Sequence, residues 1–172
     1  ALLRYAAHGP DRGPAAEPDG AGGTALLRSA LATAVRRGTD LSWHSGLAGV
    51  VPAAADAAPG AGRPGPGGLL DRSVRLLADA DTGGDLSLRH GALGTLEALA
   101  ALAGRGHTGA GDLLTRRTGE VLGLIEEQGH RCGTPDHVPS PGLLTGLAGI
   151  GYALLRLGHP ESVPSVLLLD RR

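Results

Sequence analysis

The chain contains 172 residues, of which 41% are hydrophobic and 2% aromatic, and its 16 basic and 17 acidic side chains leave a net charge of −1. This balance, with no basic stripe interleaved with aromatic residues, excludes typical nucleic-acid-binding proteins. Every basic residue is Arg, so chemistry that needs a Schiff-base lysine or the lysine of a phosphate-binding loop is excluded as well.

Amphipathic helices alternate with glycine- and proline-rich loops along the chain. A loop over residues 8–23 leads to Thr24, a good N-cap, and the first predicted helix runs from there to Gly38. A second helix follows the loop 59–68, and a third ends at Gly129. The apolar stripes of these three helices are Leu27, Leu31 and Val35; Leu70, Val74 and Leu77; and Leu114, Val121, Leu122 and Ile125.

Three glycine boxes of the form Gly-x-x-Gly lie between these helices, over residues 46–50, 91–95 and 146–150. The boxes begin 45 and 55 residues apart, which indicates a repeat rather than one isolated site. Each box opens a run of small and apolar residues, so we predict an inner helix after each one. No strand pairs with alternating polarity occur, and the sequence therefore predicts an all-α fold of helical hairpins stacked around an axis. The apolar segment 163–169 is expected to pack as an extended tail.

The residues that enter the first two boxes are the candidates for chemistry. Trp43, His44 and Ser45 precede the first box, and Arg89 and His90 precede the second. From spacing alone, the two histidines fit either a metal site or an ordinary structural role at the start of a helix. Trp43 fits either a packing role at the inner end of the fold or contact with a bound peptide.

Three segments together resemble a known family. They are residues 42–49 (Ser-Trp-His-Ser-Gly-Leu-Ala-Gly), residues 88–94 (Leu-Arg-His-Gly-Ala-Leu-Gly) and residues 141–152 (Pro-Gly-Leu-Leu-Thr-Gly-Leu-Ala-Gly-Ile-Gly-Tyr). These segments look like consecutive boxes of the lanthionine synthetase C-like cyclases. The closing run 154–169 is similar to the end of the bifunctional, type 2 enzymes of that family. The resemblance is strongest over residues 40–172, and it suggests that residues 1–172 are a C-terminal fragment of one such cyclase domain.

The resemblance implies a fold and a reaction. The family fold is an α/α toroid of seven inner and seven outer helices, so this chain would form a partial toroid of about three of the seven repeats. The family reaction adds a cysteine thiol of a ribosomally made precursor peptide to a dehydrated Ser or Thr, which forms the (methyl)lanthionine rings of lantibiotics. A Zn²⁺ ion binds the thiol and favours the thiolate. The family's acid and base residues belong to earlier repeats, so no catalytic residue is assigned within this fragment.

The resemblance also places the zinc ligands residue by residue. The family's first ligand position is occupied here by His44, and the next two are occupied by Arg89 and His90. We therefore assign His44 and His90 as metal contacts. Trp43 is assigned separately as a substrate contact. Arg89 stands at the one remaining ligand position of the three, where a guanidinium cannot coordinate zinc because its nitrogens only donate hydrogen bonds.

Three functions stay open on the sequence alone. The first is zinc-assisted thioether ring closure. The second is a catalytically inactive remnant of the toroid, which binds a peptide without zinc or has no function. The third is an unrelated α/α toroid such as a sugar-processing enzyme, although the chain lacks the aromatic platforms that sugars need.

The single cysteine, the lengths of the apolar runs and the first residue of the chain lead to three further expectations. Cys132 is the only cysteine, which excludes an internal disulfide and predicts an ordinary loop or buried thiol. No apolar run is long enough to span a membrane and no signal peptide opens the chain, so we expect a cytoplasmic protein. The chain begins at Ala1 and contains no Met, which suggests a piece of a longer product.

Overall fold

The computed structural model describes residues 20–56, 68–81 and 84–168. Over these ranges it contains six α-helices, one short 3₁₀ helix and no β-strand. The helices are α1 (Gly20–Arg37), α2 (Leu47–Asp56), α3 (Leu69–Ala78), α4 (Ala92–Ala103), α5 (Ala110–Gln128) and α6 (Leu147–Gly158), and the 3₁₀ helix is Pro135–His137. The all-α prediction is therefore confirmed for the described part of the chain.

The helices form two layers. The inner layer consists of α2, α4 and α6, in which α4 packs against both of the others. The outer layer consists of α1, α3 and α5, in which α3 packs against both of the others. Because α1 also packs on α2 and α5 packs on α4, consecutive helices alternate between the layers. This arrangement is that of a partial α/α toroid.

The core lies between the two layers and is made mainly of leucine and alanine. Helix α4 lies at its centre, and every residue from Ala92 to Leu99 is buried. Small side chains fill this space because the inner helices approach one another closely. The largest side chains that are almost fully buried are those of Leu47, Leu77, Leu86, Leu88, Leu93, Leu96, Leu99, Leu102 and Ile150.

Each inner helix begins at a glycine box because the preceding loop folds back over the helix start. The amide of the residue after the first glycine donates a hydrogen bond to the carbonyl of the residue six positions before that glycine. This bond recurs in all three boxes, at 3.0 Å from Leu47 to Asp40, 2.8 Å from Ala92 to Asp85 and 2.8 Å from Leu147 to Ser140. The same three carbonyls would collide with a Cβ atom on the first glycine of each box, so a larger residue there would displace the loop.

Two boundaries differ from the sequence-based expectation. Helix α1 begins at Gly20, ahead of Thr24, so the N-cap prediction and the loop predicted over residues 20–23 were wrong. The rest of that predicted loop, and residues 59–67 of the next one, lie outside the described residues. The tail is bent through turns over residues 166–168 rather than extended, because side chains of α4 and α6 hold it at several points. None of the described helices is long and apolar enough to cross a membrane.

Candidate functional site

The entrances of the three boxes lie side by side and are joined through their backbones. The amide of His44 donates to the carbonyl of Arg89 at 3.1 Å, and the amide of Arg89 donates to the carbonyl of Leu144 at 2.9 Å. These three residues occupy the same position in their boxes, two residues before the first glycine. We call this series of bonds the entrance ladder. It fixes the spacing of the side chains that the box entrances present.

Two of those side chains meet directly. Arg89 Nη2 lies 3.0 Å from His44 Nε2. Since guanidinium nitrogens only donate, His44 Nε2 is the acceptor, which requires the neutral imidazole with its proton on Nδ1. The rings of His44 and His90 are also neighbours, with their centroids 5.6 Å apart and their planes at 82°. The structure therefore brings together all three residues of the predicted metal site.

The surroundings of this cluster leave it open on one side. His44 and His90 are exposed, whereas Arg89 is half-buried. The imidazole of His90 takes no part in the hydrogen bond between Arg89 and His44. The backbone amide of His90 donates to the Ser87 hydroxyl at 3.3 Å. The cluster therefore offers a fixed cation and an accessible imidazole at the start of the inner helices.

The loop that carries His44 is held by Asp40. One carboxylate oxygen of Asp40 accepts from the Ser42 amide at 3.0 Å, and the other accepts from the Ser45 hydroxyl at 2.7 Å. Hydrogen bonding to Ser42 and Ser45 lowers the pKa of Asp40 below its ordinary value of 3.8. Asp85 holds the second entrance in a similar way, since it accepts from the Ser87 amide at 2.6 Å.

Trp43 is half-buried and packs against the core. A Cβ atom on Gly94, the second glycine of the next box, would lie 3.1 Å from Trp43 Cβ. The tryptophan therefore packs over the glycine of the neighbouring repeat, which supports its packing role. Its assignment as a substrate contact stays a prediction.

A zinc ion in this cluster would have too few ligands. Catalytic zinc sites use three protein ligands and keep one open position, whereas among the described residues of this cluster only His44 and His90 could contribute. In the described ranges no group of three or more His, Cys, Asp or Glu residues is placed to hold a metal. The Arg89 guanidinium also occupies the lone pair of His44 Nε2 that would bind the ion. These residues do not fit a three-ligand zinc centre, and the assignment of His44 and His90 as metal contacts stays a prediction for metal analysis.

Cys132 lies in the loop before the third box and is fully buried. The loop is anchored by a bond from the Gly133 amide to the Thr145 carbonyl at 2.8 Å, and His137 Nδ1 lies 2.8 Å from the Cys132 carbonyl. The expectation of an ordinary loop or buried thiol is confirmed.

One buried polar cluster was not predicted from the sequence. Glu97, on α4, is 4% exposed and accepts hydrogen bonds from Arg156 of α6 and from the Ser165 hydroxyl of the tail. A glutamate inside an otherwise apolar helix was the available signal, because such a residue is rarely buried without a partner. Its position between α4, α6 and the tail indicates a structural role.

Comparison with known proteins identifies the family. The model of the family described as lanthionine synthetase C-like protein matches residues 28–168. No curated protein and no solved structure matches the chain. The family model covers most of the chain, and the glycine boxes, the clustered box entrances and all described helices except the first eight residues of α1 lie within the match. The chain therefore belongs to the lanthionine synthetase C-like family.

Proposed function

We propose that this protein takes part in thioether ring closure on a ribosomally made peptide. The observation that carries the proposal is the meeting of His44, Arg89 and His90 at the entrances of consecutive boxes. Family membership supplies the reaction class, and this cluster supplies groups that suit it. The substrate would be a precursor peptide with free cysteines and dehydrated Ser or Thr residues.

The chemistry is an addition in which no atom is oxidised or reduced. A peptide thiol gives its proton to the exposed imidazole of His90, and the sulfur forms a bond to Cβ of the dehydrated residue. The electrons of the C=C bond move to Cα, which then takes the proton back from the His90 imidazolium. The product keeps every atom of the substrate.

The other residues of the cluster position and polarise. His44 cannot serve as the base while its Nε2 accepts from Arg89, so proton transfer falls to His90. Metal analysis of the intact protein tests the assignment of His44 and His90 as metal contacts.

The test follows the thiol, because ring closure does not change the mass of the peptide. The intact protein is incubated with a synthetic peptide that contains one cysteine and one dehydroalanine, and remaining thiol is measured by N-ethylmaleimide labelling and mass spectrometry. We expect thiol loss and a cyclic fragmentation pattern to appear faster with protein than without it. His90→Ala should slow the reaction, and His159→Ala, which changes an exposed histidine far along the chain, should not.

A second function is favoured by one specific observation. Arg89 stands where a third ligand would be and binds His44, which suits a peptide-binding scaffold that has lost ring-closing activity. The thiol-labelling experiment distinguishes the cyclase from the peptide-binding scaffold. Equal rates of thiol loss with and without protein, together with saturable binding of the peptide, would support the scaffold and contradict the cyclase.

A further inference from the structure

The guanidinium of Arg89 is a cation that lacks a counter-ion in the described ranges. Its hydrogen bond there is the one to His44, a neutral acceptor. Its Nε atom is buried and has no hydrogen-bond partner among the described residues. Because its described acceptor is neutral, the half-buried guanidinium keeps an uncompensated positive charge that can attract an anion.

We propose that Arg89 supplies the fixed positive charge that binds a peptide thiolate at this site, so that thiol activation does not require a metal ion. This inference rests on the proposed function, because it names the group that favours the thiolate in the same reaction. In this scheme the positive charge of Arg89 replaces the positive charge of the metal ion.

The position of Arg89 is fixed by more than its side chain. Its backbone lies in the middle of the entrance ladder and is bonded to both neighbouring boxes, through its carbonyl to His44 and through its amide to Leu144. The hydrogen bond to His44 Nε2 then orients the guanidinium. A cation held on both sides in this way is preorganised, which makes its attraction to a developing anion stronger than that of a mobile surface arginine.

The neighbouring imidazole explains why the anion is a thiolate. The imidazole of His90 lies beside that of His44 and is exposed, so it can accept the proton that a thiol must lose. A cation beside a thiol lowers the pKa of that thiol, and a charge-assisted hydrogen bond holds the resulting anion. A carboxylate would need no proton acceptor, and the pairing of a guanidinium with an available imidazole therefore favours a thiol. In this scheme His44 is a positioning residue.

The test uses a small thiol that carries no carboxylate, N-acetylcysteamine, with the intact protein after treatment with a chelator. Binding is followed through the ring signals of ¹⁵N-labelled histidines, and ionisation of the thiol is followed by the ultraviolet absorbance of the thiolate. We expect saturable shifts at His90 and a lower apparent pKa for the bound thiol. Sodium acetate is titrated in parallel, and it should bind more weakly.

Variants separate charge from shape. Arg89→Gln should weaken binding of the thiol by about tenfold or more, because a hydrogen bond to a charged group is lost. Arg89→Lys keeps the charge and should retain part of the binding. Arg75→Gln, which removes an exposed arginine on the outer helix α3, is the matched control and should bind like the unmodified protein. Circular dichroism establishes that each variant is folded.

The outcomes distinguish this inference from the proposed function. Binding that is unchanged in Arg89→Gln, binding that returns only when Zn²⁺ is added, or acetate that binds as well as the thiol would overturn the inference. If ring closure of the test peptide then proceeds with Zn²⁺, the proposed function stands without the inference. If the thiol binds through Arg89 and no ring closes under any condition, the inference stands and the proposed function fails.

Discussion

Arg156 Nε lies 2.9 Å from both carboxylate oxygens of Glu97. The pair joins the inner helices α4 and α6, and both side chains are largely buried, at 12% and 4% exposure. Arg156 also donates to the carbonyl of Val163 at 2.7 Å, and the hydroxyl of Ser165 donates to Glu97. One buried charge pair thus connects two inner helices to the tail.

Removal of one partner of this pair should strongly destabilise the protein. Arg156→Ala leaves the buried Glu97 carboxylate without its cation, and we expect the free energy of unfolding to fall by about 3–5 kcal/mol. Urea denaturation measures the change. Glu120→Ala is the matched control, because Glu120 pairs with Arg117 within one helix and is 44% exposed, and it should cost less than about 1 kcal/mol. Similar losses in the two variants would show that the buried pair contributes no more to stability than an exposed pair.

The second glycine of a box should tolerate no side chain. A Cβ atom on Gly94 would collide with the carbonyl of Leu88 and would also press on Trp43. We expect Gly94→Ala to lower the free energy of unfolding by about 1–3 kcal/mol. Gly123→Ala is the control within a helix, since its Cβ would meet open space, and it should raise stability by up to ~1 kcal/mol. Thermal denaturation compares the two, and a stabilised Gly94→Ala would refute the close approach.

Tyr152 should make the protein less stable in alkaline solution. Burial raises the pKa of the Tyr152 hydroxyl above its ordinary value of 10.0, and the hydroxyl donates to the Pro164 carbonyl and accepts from the Val166 amide, both at 2.9 Å. As the pH rises through 10, the unfolded chain releases this proton before the folded chain does. The free energy of unfolding therefore falls from about pH 10 up to the folded-state pKa.

The chain makes this pH effect easy to isolate, since it contains no lysine and Tyr5 is its only other tyrosine. Urea denaturation of the natural protein and of Tyr152→Phe over this range measures it. The variant should be less stable at neutral pH, because two hydrogen bonds are lost, and its stability should decline less between neutral and alkaline pH. Parallel decline in both proteins would assign the effect to other groups.

Introducing thiolates at the box entrances should create a zinc site. In His44→Cys combined with Arg89→Cys, two thiolates and His90 would provide three ligands, and the guanidinium that now binds His44 would be gone. We expect the double variant to bind about one Zn²⁺ per chain, as measured by atomic emission after dialysis. The unmodified protein in the same dialysis is the reference. A double variant that binds no zinc would show that the two box entrances do not place three ligands around one ion.

The glycine boxes show how much of the fold the sequence could predict. Each inner helix starts at the residue after the first glycine, at Leu47, Ala92 and Leu147, as the repeat indicated. Helix starts that are not preceded by a glycine box were harder to predict. Helix α1 begins ahead of Thr24, because a favourable N-cap residue does not prevent a helix from starting earlier.

For the site, the sequence placed His44, Arg89 and His90 at equivalent box entrances, and the structure brings them together. The contact itself could not be predicted from spacing, because Arg89 reaches His44 across 45 residues of chain and only helix packing sets that distance. Asp40 and Asp85 each lie six residues before the first glycine of a box, and this shared position was a signal in the sequence that was not used. Both side chains accept hydrogen bonds from the loop that follows.

The sequence by itself determined where the repeats lie and where each inner helix begins. A carbonyl of the preceding loop lies against each box glycine, so local geometry leaves no room for a side chain at these positions. Only the tertiary structure decided which polar groups meet across repeats. Glu97 with Arg156, and Arg89 with His44, come from segments far apart in the chain. Their contacts depend on the stacking of α2, α4 and α6, and such long-range packing carries no local sequence pattern.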